Sequence, residues 1–261
     1  MRFGGCNGPV GSVRKWGMRE TKWPTAYRLG DADDIPVLSG APFMIINTVG
    51  GCQAVSEGCA NCFAVRYRRT DRFFNLEALH ALREPEPKRV YVGTHADLFQ
   101  PGIERHVDRV FDACRAHQQH KYYFLTRHVE GMRLALQRQT SIPDNWAFGV
   151  SVESAEYFDR IDTLRGFDVA EKYVSFAPIL GRMDPPLSGI RWVICAGEFG
   201  GAKARGCDLD WFRSIRQACH MSGTHFVIKT LGSKLGGGQI LDGVHHKEEP
   251  PGYDGGCDAV F

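Results

Sequence analysis

Short apolar runs alternate with amphipathic segments along the chain from residue 42 onward. The apolar runs predict seven β-strands, and the helical spacing of apolar positions between them predicts five helices. The strands are expected at 43–48, 88–92, 121–126, 146–152, 172–177, 191–196 and 225–229. The helices are expected at 63–69, 105–118, 128–139, 155–165 and 208–222.

Two of the predicted strands are apolar without interruption, in Tyr122-Tyr123-Phe124-Leu125 and in Trp192-Val193-Ile194-Cys195. A strand without polar alternation is typical of a parallel sheet, because both of its faces are covered. Strand and helix alternate six or seven times, which favours the α/β class. We therefore predict a β/α barrel, either partial or near-complete.

The chain divides into three segments. Residues 1–41 are rich in Gly, Pro and charge and show no sustained period, so we expect an irregular N-terminal extension. Residues 42–235 form the predicted barrel, and residues 236–261, which begin with three glycines, form a loop-like tail.

Composition places few limits on function. The chain has 261 residues, 43% hydrophobic residues and a formal net charge of +2, which is ordinary for a globular protein and does not indicate a nucleic-acid binder. Its nine cysteines are an odd number and no secretion signal precedes them, so we expect a reducing, cytoplasmic location with free or metal-bound thiols. No apolar stretch approaches the roughly 20 residues of a membrane helix, so no membrane association is expected.

Three cysteines, Cys52, Cys59 and Cys62, lie in a glycine-containing stretch directly after the first predicted strand. We refer to residues 50–62 as the cysteine loop. Three thiolates are one short of a closed four-ligand site, so a metal bound there keeps an open coordination position. Because the loops that follow barrel strands open onto the C-terminal face, we expect this site at the mouth of the barrel.

Three interpretations of these cysteines are open. A [4Fe-4S] cluster held by three thiolates leaves one iron free to bind a ligand. A structural zinc needs a fourth ligand, such as Cys195, Cys207 or a histidine, but no second Cys-x-x-Cys stands at finger spacing. Buried, inert thiols are the third interpretation. The loop is an unusual place for three packing cysteines, so we favour the cluster.

Polar residues at the ends of the other predicted strands are expected to meet the cysteine loop at the same rim. They are Thr94, His95, Asp97, Thr126, Arg127, His128, Ser151, Glu153, Ser175, Glu198 and Lys229. Structural roles remain open for several of them: capping for Asp97 and Glu153, ion pairing for Arg127 and Glu198, and plain exposure at the rim for Lys229.

Several short motifs follow one another in a fixed order between residues 43 and 232. They are Gly51-Cys52, Gly58-Cys59-Ala-Asn-Cys62-Phe63-Ala64, Asp97-Leu98-Phe99, Val107-Asp108-Arg109-Val110-Phe111, Phe124-Leu125-Thr126-Arg127, Asn145-Trp146 through Val152-Glu153, Tyr173-Val174-Ser175-Phe176-Ala177-Pro178-Ile179-Leu180-Gly181, Trp192 through Gly197-Glu198, Asp210-Trp211-Phe212-Arg213 and Phe226-Val227-Ile228-Lys229. In these motifs the chain resembles a phage and bacterial family of unknown function that has a radical-SAM-like three-cysteine loop. The commonest spacing in the radical SAM superfamily is Cys-x₃-Cys-x₂-Cys, whereas the first gap here is six residues.

This resemblance implies a barrel of the radical SAM type and two cofactors. Cys52, Cys59 and Cys62 would hold a [4Fe-4S] cluster, and S-adenosylmethionine (SAM) would bind its free iron and be cleaved to a 5'-deoxyadenosyl radical. An external electron donor is then a required partner. The residues expected to bind SAM are Asp97, Arg127, Ser151, Glu153 and Gly197, with Arg127 facing the SAM carboxylate.

The chain departs from the resembling family at three places. Ala177 stands where the family usually has Glu, Val65 stands where it has an acidic residue, and the usual Trp-rich opening is replaced by residues 1–41. A carboxylate at a strand end can bind an amine or transfer a proton. Its loss suggests a changed substrate.

The resemblance also suggests a substrate, because relatives occur in phages that attach amino-acid-derived groups to thymine in DNA. We hypothesise an isomerase that acts on a glycyl-modified thymine, in the host cytoplasm if the chain is phage-encoded. Basic and aromatic residues alternate at 14–23 and 66–74, as in surfaces that bind phosphates and stack bases. Cations on a solvated helix face, with the aromatic residues in the core, are the other interpretation of these stretches. Candidate substrate contacts are Glu198, Lys229 and His95. The alternatives are another radical SAM enzyme that modifies or repairs nucleic acid, and a zinc-containing nucleic-acid-binding module.

Overall fold

The computed structural model describes residues 43–62 and 72–246, so the predicted extension 1–41 and the predicted helix 63–69 lie outside the described residues. Seven parallel strands form one sheet, in which each strand pairs with the next one along the chain. They are β1 (Phe43–Ile46), β2 (Arg89–Val92), β3 (Lys121–Thr126), β4 (Trp146–Ser151), β5 (Glu171–Phe176), β6 (Trp192–Ala196) and β7 (His225–Thr230). All seven strands predicted from the apolar runs are thus confirmed.

Four α-helices connect these strands: α1 (Glu104–Ala116), α2 (Val129–Gln137), α3 (Asp159–Arg165) and α4 (Leu209–Ser222). The predicted helix 155–165 is divided, because a 3-10 turn at Ala155–Tyr157 precedes α3. A 3-10 helix at Leu76–Arg83, between β1 and β2, was not predicted. No helix in the described part of the chain has both the length and the apolar character needed to cross a membrane.

Helix α4 shows how the sequence sets the limits of an element. The carboxylate of Asp208 accepts a hydrogen bond of 2.8 Å from the backbone N–H of Asp210, which caps the first turn. At the other end Gly223 adopts the left-handed conformation with φ of 65°, which stops the helix. Phe212 and Ile215 lie one turn apart and are fully buried against the sheet.

The sheet is curled, with its helices on the outer face and a concave inner face. The outermost strands β1 and β7 do not pair with each other within the described residues, so the barrel is partial. Because all seven strands are parallel, their C-terminal ends form one rim around the open side.

Aromatic side chains fill the lower part of the concave face. Tyr173 stacks on Trp192 with ring centroids 4.5 Å apart, and Tyr91 stacks on Tyr123 at 5.0 Å. A Cβ at Gly149 would meet the ring of Tyr173, so only glycine allows this ring to lie across β4. We call these four rings the aromatic floor.

The C-terminal segment covers the outer edge of β7. The backbone N–H of Ile228 donates to the carbonyl of His246 at 2.9 Å, and that of Leu231 donates to the carbonyl of Gly238 at 2.8 Å. Two two-residue strands, Ile240–Leu241 and Val244–His245, lie in this segment, which was predicted to be loop-like. The sheet therefore has a protected edge on this side.

Candidate active site

The cysteine loop arches from the end of β1 across the rim of the sheet. At its start Gln100 donates a hydrogen bond of 3.0 Å to the carbonyl of Gly51. Cys59 lies in a short 3-10 turn, Glu57–Cys59, and is buried, whereas Cys52 and Cys62 are half-buried. The three thiols thus lie at the mouth of the half-barrel, as predicted from the sequence.

The three thiols share one electrostatic environment. Burial raises the pKa of Cys59, but backbone N–H groups of Val55 and Ser56 and the charge of Arg127 outweigh it, so the net pKa is lowered. Burial raises the pKa of Cys52, and the negative charges of Asp97, Cys59 and Cys62 raise it further. The thiolate form is therefore more favourable at Cys59 than at Cys52.

A buried carboxylate, Glu153, joins the loop to two strand ends. It is 0% exposed and accepts hydrogen bonds from Ser56 Oγ at 3.1 Å, from Arg160 at 3.1 Å and from Arg127 Nε. The guanidinium group of Arg160 also lies 4.1 Å from the ring centre of Tyr157. Two guanidinium groups around one carboxylate leave a net positive charge beside Cys59.

Gly58 lies directly against Glu153. A Cβ at this position would overlap Glu153 Cγ and lie 2.8 Å from Glu153 Cδ. Real Cβ atoms do not approach other atoms so closely, so the loop reaches Glu153 only because residue 58 has no side chain.

A second carboxylate, Glu198, holds the other end of the loop. It accepts hydrogen bonds from Asn61 Nδ2 at 2.9 Å and from the backbone N–H of Arg205 at 2.7 Å, and it pairs with the Arg205 guanidinium group. Arg205 also donates to the carbonyl of Glu57 at 3.1 Å. Burial acts to raise the pKa of Glu198, but hydrogen bonds from Arg205 and Asn61 lower it to about 2. The ion-pair interpretation of Glu198 thus has direct geometric support.

The anchoring role of Glu198 predicts a specific loss of stability in acid. Its folded-state pKa lies below the ordinary value of 4.5, so its contribution is complete above that value and is lost as the pH falls toward about 2. We expect the free energy of unfolding of Glu198→Gln, measured in urea, to be lower than that of the wild type at neutral pH. It should also depend less on pH than the wild-type value in this window. Glu156→Gln, at an exposed position, is the control. Equal pH dependence in wild type and Glu198→Gln would contradict this role.

Asp97, Arg127 and Glu153 lie together at the rim, as predicted. The polar groups of Asp97 and Arg127 mainly bind each other, neighbouring side chains and the backbone. Asp97 Oδ1 accepts from Thr126 Oγ1 at 2.6 Å and from the backbone N–H of Phe99 at 2.9 Å. Asp97 Oδ2 accepts from the backbone N–H of Arg127 at 2.7 Å. Asp97 therefore caps the turn, and its contact with SAM stays a prediction.

The concave face also carries polar groups without protein partners. Ser151 and Ser175 are 3% and 5% exposed and pair in register, and neither hydroxyl makes a hydrogen bond within the described residues. Lys229 lies on the same face, because it alternates along β7 with Phe226 and Ile228, which belong to the helix-side core. It is half-buried, and burial lowers the pKa of its ammonium group.

Two other predicted residues have structural contacts. Gly197 donates its backbone N–H to the carbonyl of Thr230 at 3.0 Å, and a Cβ there would lie 2.8 Å from the carbonyl carbon of Leu231. The glycine thus permits a close approach of β6 and β7. His95 donates its backbone N–H to Asn47 Oδ1 at 3.0 Å, and burial lowers the pKa of its ring.

Sequence reasoning did not select several residues that position the loop. These are Ser56, Asn61, Gln100, Arg160 and Arg205. Most of their contacts join distant parts of the chain, as far as 148 residues between Arg205 and Glu57. The spacing of residues along the sequence does not reveal such pairs.

The cysteine loop offers three thiols as donors, and the nearby carboxylates are already bound by cations and N–H groups. Within the described residues, no group of three or more His, Cys, Asp or Glu side chains forms a set that would hold a metal ion. Thiol ligands suit zinc as well as iron–sulfur clusters, so the cluster stays a prediction. Cys195 and Cys207, considered as fourth zinc ligands, instead pack at the helix-side core near Cys219.

An α/β half-barrel with a three-cysteine loop anchored across its strand ends is the class of protein that the fold and the site define. The model of DUF5131, described as protein of unknown function, matches residues 44–250, and the chain belongs to this family. Neither a curated protein nor a solved structure matches the chain.

Proposed function

We propose that this protein is a radical SAM enzyme in which Cys52, Cys59 and Cys62 hold a [4Fe-4S] cluster. The observation that carries the proposal is the position of three thiols on one anchored loop, beside Arg127, at the C-terminal ends of parallel strands. Ligands of α/β sheets bind at these strand ends. A cluster held by these three thiolates would supply an open coordination position for SAM and an electron, taken from an external donor, for the cleavage of SAM to methionine and the 5'-deoxyadenosyl radical.

The charged groups around the loop suit such a ligand. Three thiolates concentrate negative charge, and the guanidinium group of Arg127 offsets part of it. Glu153 orients Arg127 through a buried ion pair, and a second ion pair, with Arg160, holds Glu153 in place. Arg127 acts as the electrostatic partner of Cys59, whereas its contact with the SAM carboxylate is part of the proposal.

Three anchors position the thiols over the concave face. Gln100 binds the start of the loop, Glu153 binds its middle through Ser56, and Glu198 binds its end through Asn61. A ligand on the concave face would then lie between the thiols and the aromatic floor.

For the substrate we propose a glycyl-modified thymine in DNA. A radical on the glycyl α-carbon is stabilised by the neighbouring amine and carboxylate together. Isomerisation breaks the bond between the thymine methylene and the glycyl nitrogen and forms a bond from that methylene to the α-carbon, while the α-hydrogen is replaced by one on nitrogen. The resemblance to phage relatives and the methyl side chain of Ala177, where the resembling family has a carboxylate, support this choice.

Anaerobic reconstitution with iron and sulfide tests the proposal. We expect a brown protein with about four irons per chain, which releases 5'-deoxyadenosine from SAM when a reductant is added. Cys52→Ser, Cys59→Ser and Cys62→Ser should each lose both properties, whereas the control Cys207→Ser should keep them.

Two outcomes would count against the proposal at different levels. A colourless protein with one tightly bound zinc would reject the radical mechanism and favour a nucleic-acid-binding module. A protein that cleaves SAM but leaves glycyl-thymine DNA unchanged in mass and chromatographic mobility would reject the substrate alone.

A further inference from the structure

Four carboxylates lie on the concave face of the sheet or directly at its strand ends, and each already has a partner. Glu171 pairs with Lys121 at 2.6 Å and accepts from Trp192 Nε1 at 2.9 Å. Glu153 pairs with two arginines, Glu198 pairs with Arg205, and Asp97 accepts from backbone and hydroxyl groups. None of the four is left to compensate another cation.

Among the described residues, no carboxylate lies in ion-pair contact with Lys229, a cation on this face. Its side chain is nevertheless half-buried there. Its neighbours on that face are apolar, since Val227 precedes it on β7 and Ile194 pairs with Val227. A shielded ammonium group without a counter-charge is costly. A ligand that supplies the counter-charge would remove this cost.

Two hydroxyl groups lie within reach of the same ligand. Ser151 pairs in register with Ser175, Ser175 pairs with Ile194, and Ile194 pairs with Val227, so one continuous row crosses four strands. Two strand spacings, roughly 10 Å, separate Ser175 from β7. Lys229 itself lies two residues beyond Val227, roughly 7 Å further along β7. Its four methylene groups and the curl of the sheet bring the ammonium group toward the serines, so one oxyanion on the concave face can contact both the ammonium and a serine hydroxyl.

We propose that Lys229, together with the hydroxyls of Ser151 and Ser175, binds a carboxylate or phosphate oxyanion of a ligand on the concave face beneath the cysteine loop. The identity of that ligand rests on the proposed function, because both SAM and a glycyl-modified thymine carry a carboxylate. The anion site itself depends only on the sheet.

The first test uses the full chain without a cluster and inorganic phosphate as the probe. Lysines are acetylated with acetic anhydride at one fixed pH, and the labelled peptides are quantified by mass spectrometry. We expect phosphate to slow the labelling of Lys229 several-fold relative to sodium chloride at equal ionic strength, and to leave the exposed Lys234 unchanged. Equal effects at both lysines, or no effect at either, would overturn the proposal. This result is independent of whether the protein cleaves SAM.

The second test separates the two sources of the oxyanion. Affinities of reconstituted wild type, Lys229→Gln, Lys229→Arg and the control Lys234→Gln are measured for SAM, decarboxylated SAM, the glycyl-thymidine nucleoside and its carboxamide. A loss of about tenfold in Lys229→Gln for SAM but not for decarboxylated SAM assigns the site to the SAM carboxylate. The same loss for the glycyl nucleoside but not for its carboxamide assigns it to the substrate. Lys229→Arg should recover part of the affinity in either case.

Circular dichroism shows whether Lys229→Gln is folded. If it is folded and its affinities equal those of the wild type, the proposal is wrong, even if the protein releases 5'-deoxyadenosine. Phosphate protection of Lys229 in a protein that releases no 5'-deoxyadenosine would keep the anion site and reject the radical function. The two failures are thus distinguishable.

Discussion

Glu153→Ala is expected to lower the free energy of unfolding by about 3–5 kcal/mol, because it leaves two guanidinium groups close together without their shared counter-charge. Glu153 is fully buried between Arg127 and Arg160. Urea unfolding at neutral pH measures the loss. Glu156→Ala, at an exposed position four residues from Arg160, should change stability by only a few tenths of a kcal/mol.

A double variant shows whether the unpaired charge causes the loss. We expect Arg127→Met to recover part of the stability when it is added to Glu153→Ala, since it removes one of the two stranded cations. In the wild-type background the same substitution should destabilise the protein. If the two substitutions had additive effects, the electrostatic explanation would be wrong. Loss of packing would then be the remaining explanation of the lower stability.

The second large effect is expected from Gly58→Ala. The added methyl group overlaps the side chain of Glu153, so the loop must move away from the strand ends or Glu153 must leave its partners. Overpacking of this kind costs about 1–3 kcal/mol. We also expect most of the iron to be lost after reconstitution, because Cys59 is the next residue.

Gly181→Ala is the matched control, since a Cβ at that position meets no atom within 4 Å. Urea unfolding and iron content are measured for both variants. Iron binding by Gly58→Ala at the wild-type level would show that the close approach to Glu153 is not needed to place the thiols.

The strands were predictable because burial on both faces leaves a strong pattern. In Lys121–Thr126 the rings of Tyr122 and Phe124 face the helices and that of Tyr123 is part of the aromatic floor, so nearly every position is apolar. The 3-10 helix Leu76–Arg83 leaves a weak pattern, because it buries only Ala78 and Leu82. The strands Ile240–Leu241 and Val244–His245 are too short to show a period.

The site was predictable in position but not in its pairings. Parallel strands bring Asp97, Arg127 and Glu153 to one rim, and the sequence shows directly that each residue follows a strand. Which carboxylate binds which cation depends on the curl of the sheet and on rotamers. Arg160, on α3, and Arg205, in the loop before α4, are the clearest examples, because nothing in their neighbourhoods distinguishes them from surface arginines.

The anchoring of the cysteine loop has a consequence for the order of assembly. Its hydrogen bonds join residues 97 positions apart at Ser56 and Glu153 and 137 positions apart at Asn61 and Glu198. Contacts of such long sequence separation form late, because the intervening chain must first be ordered. The thiols leave the ribosome early, yet they take their final places only after the strand before Glu198 has joined the sheet. We therefore expect a metal that needs the three thiols in these final positions to be loaded after synthesis has passed the last anchor.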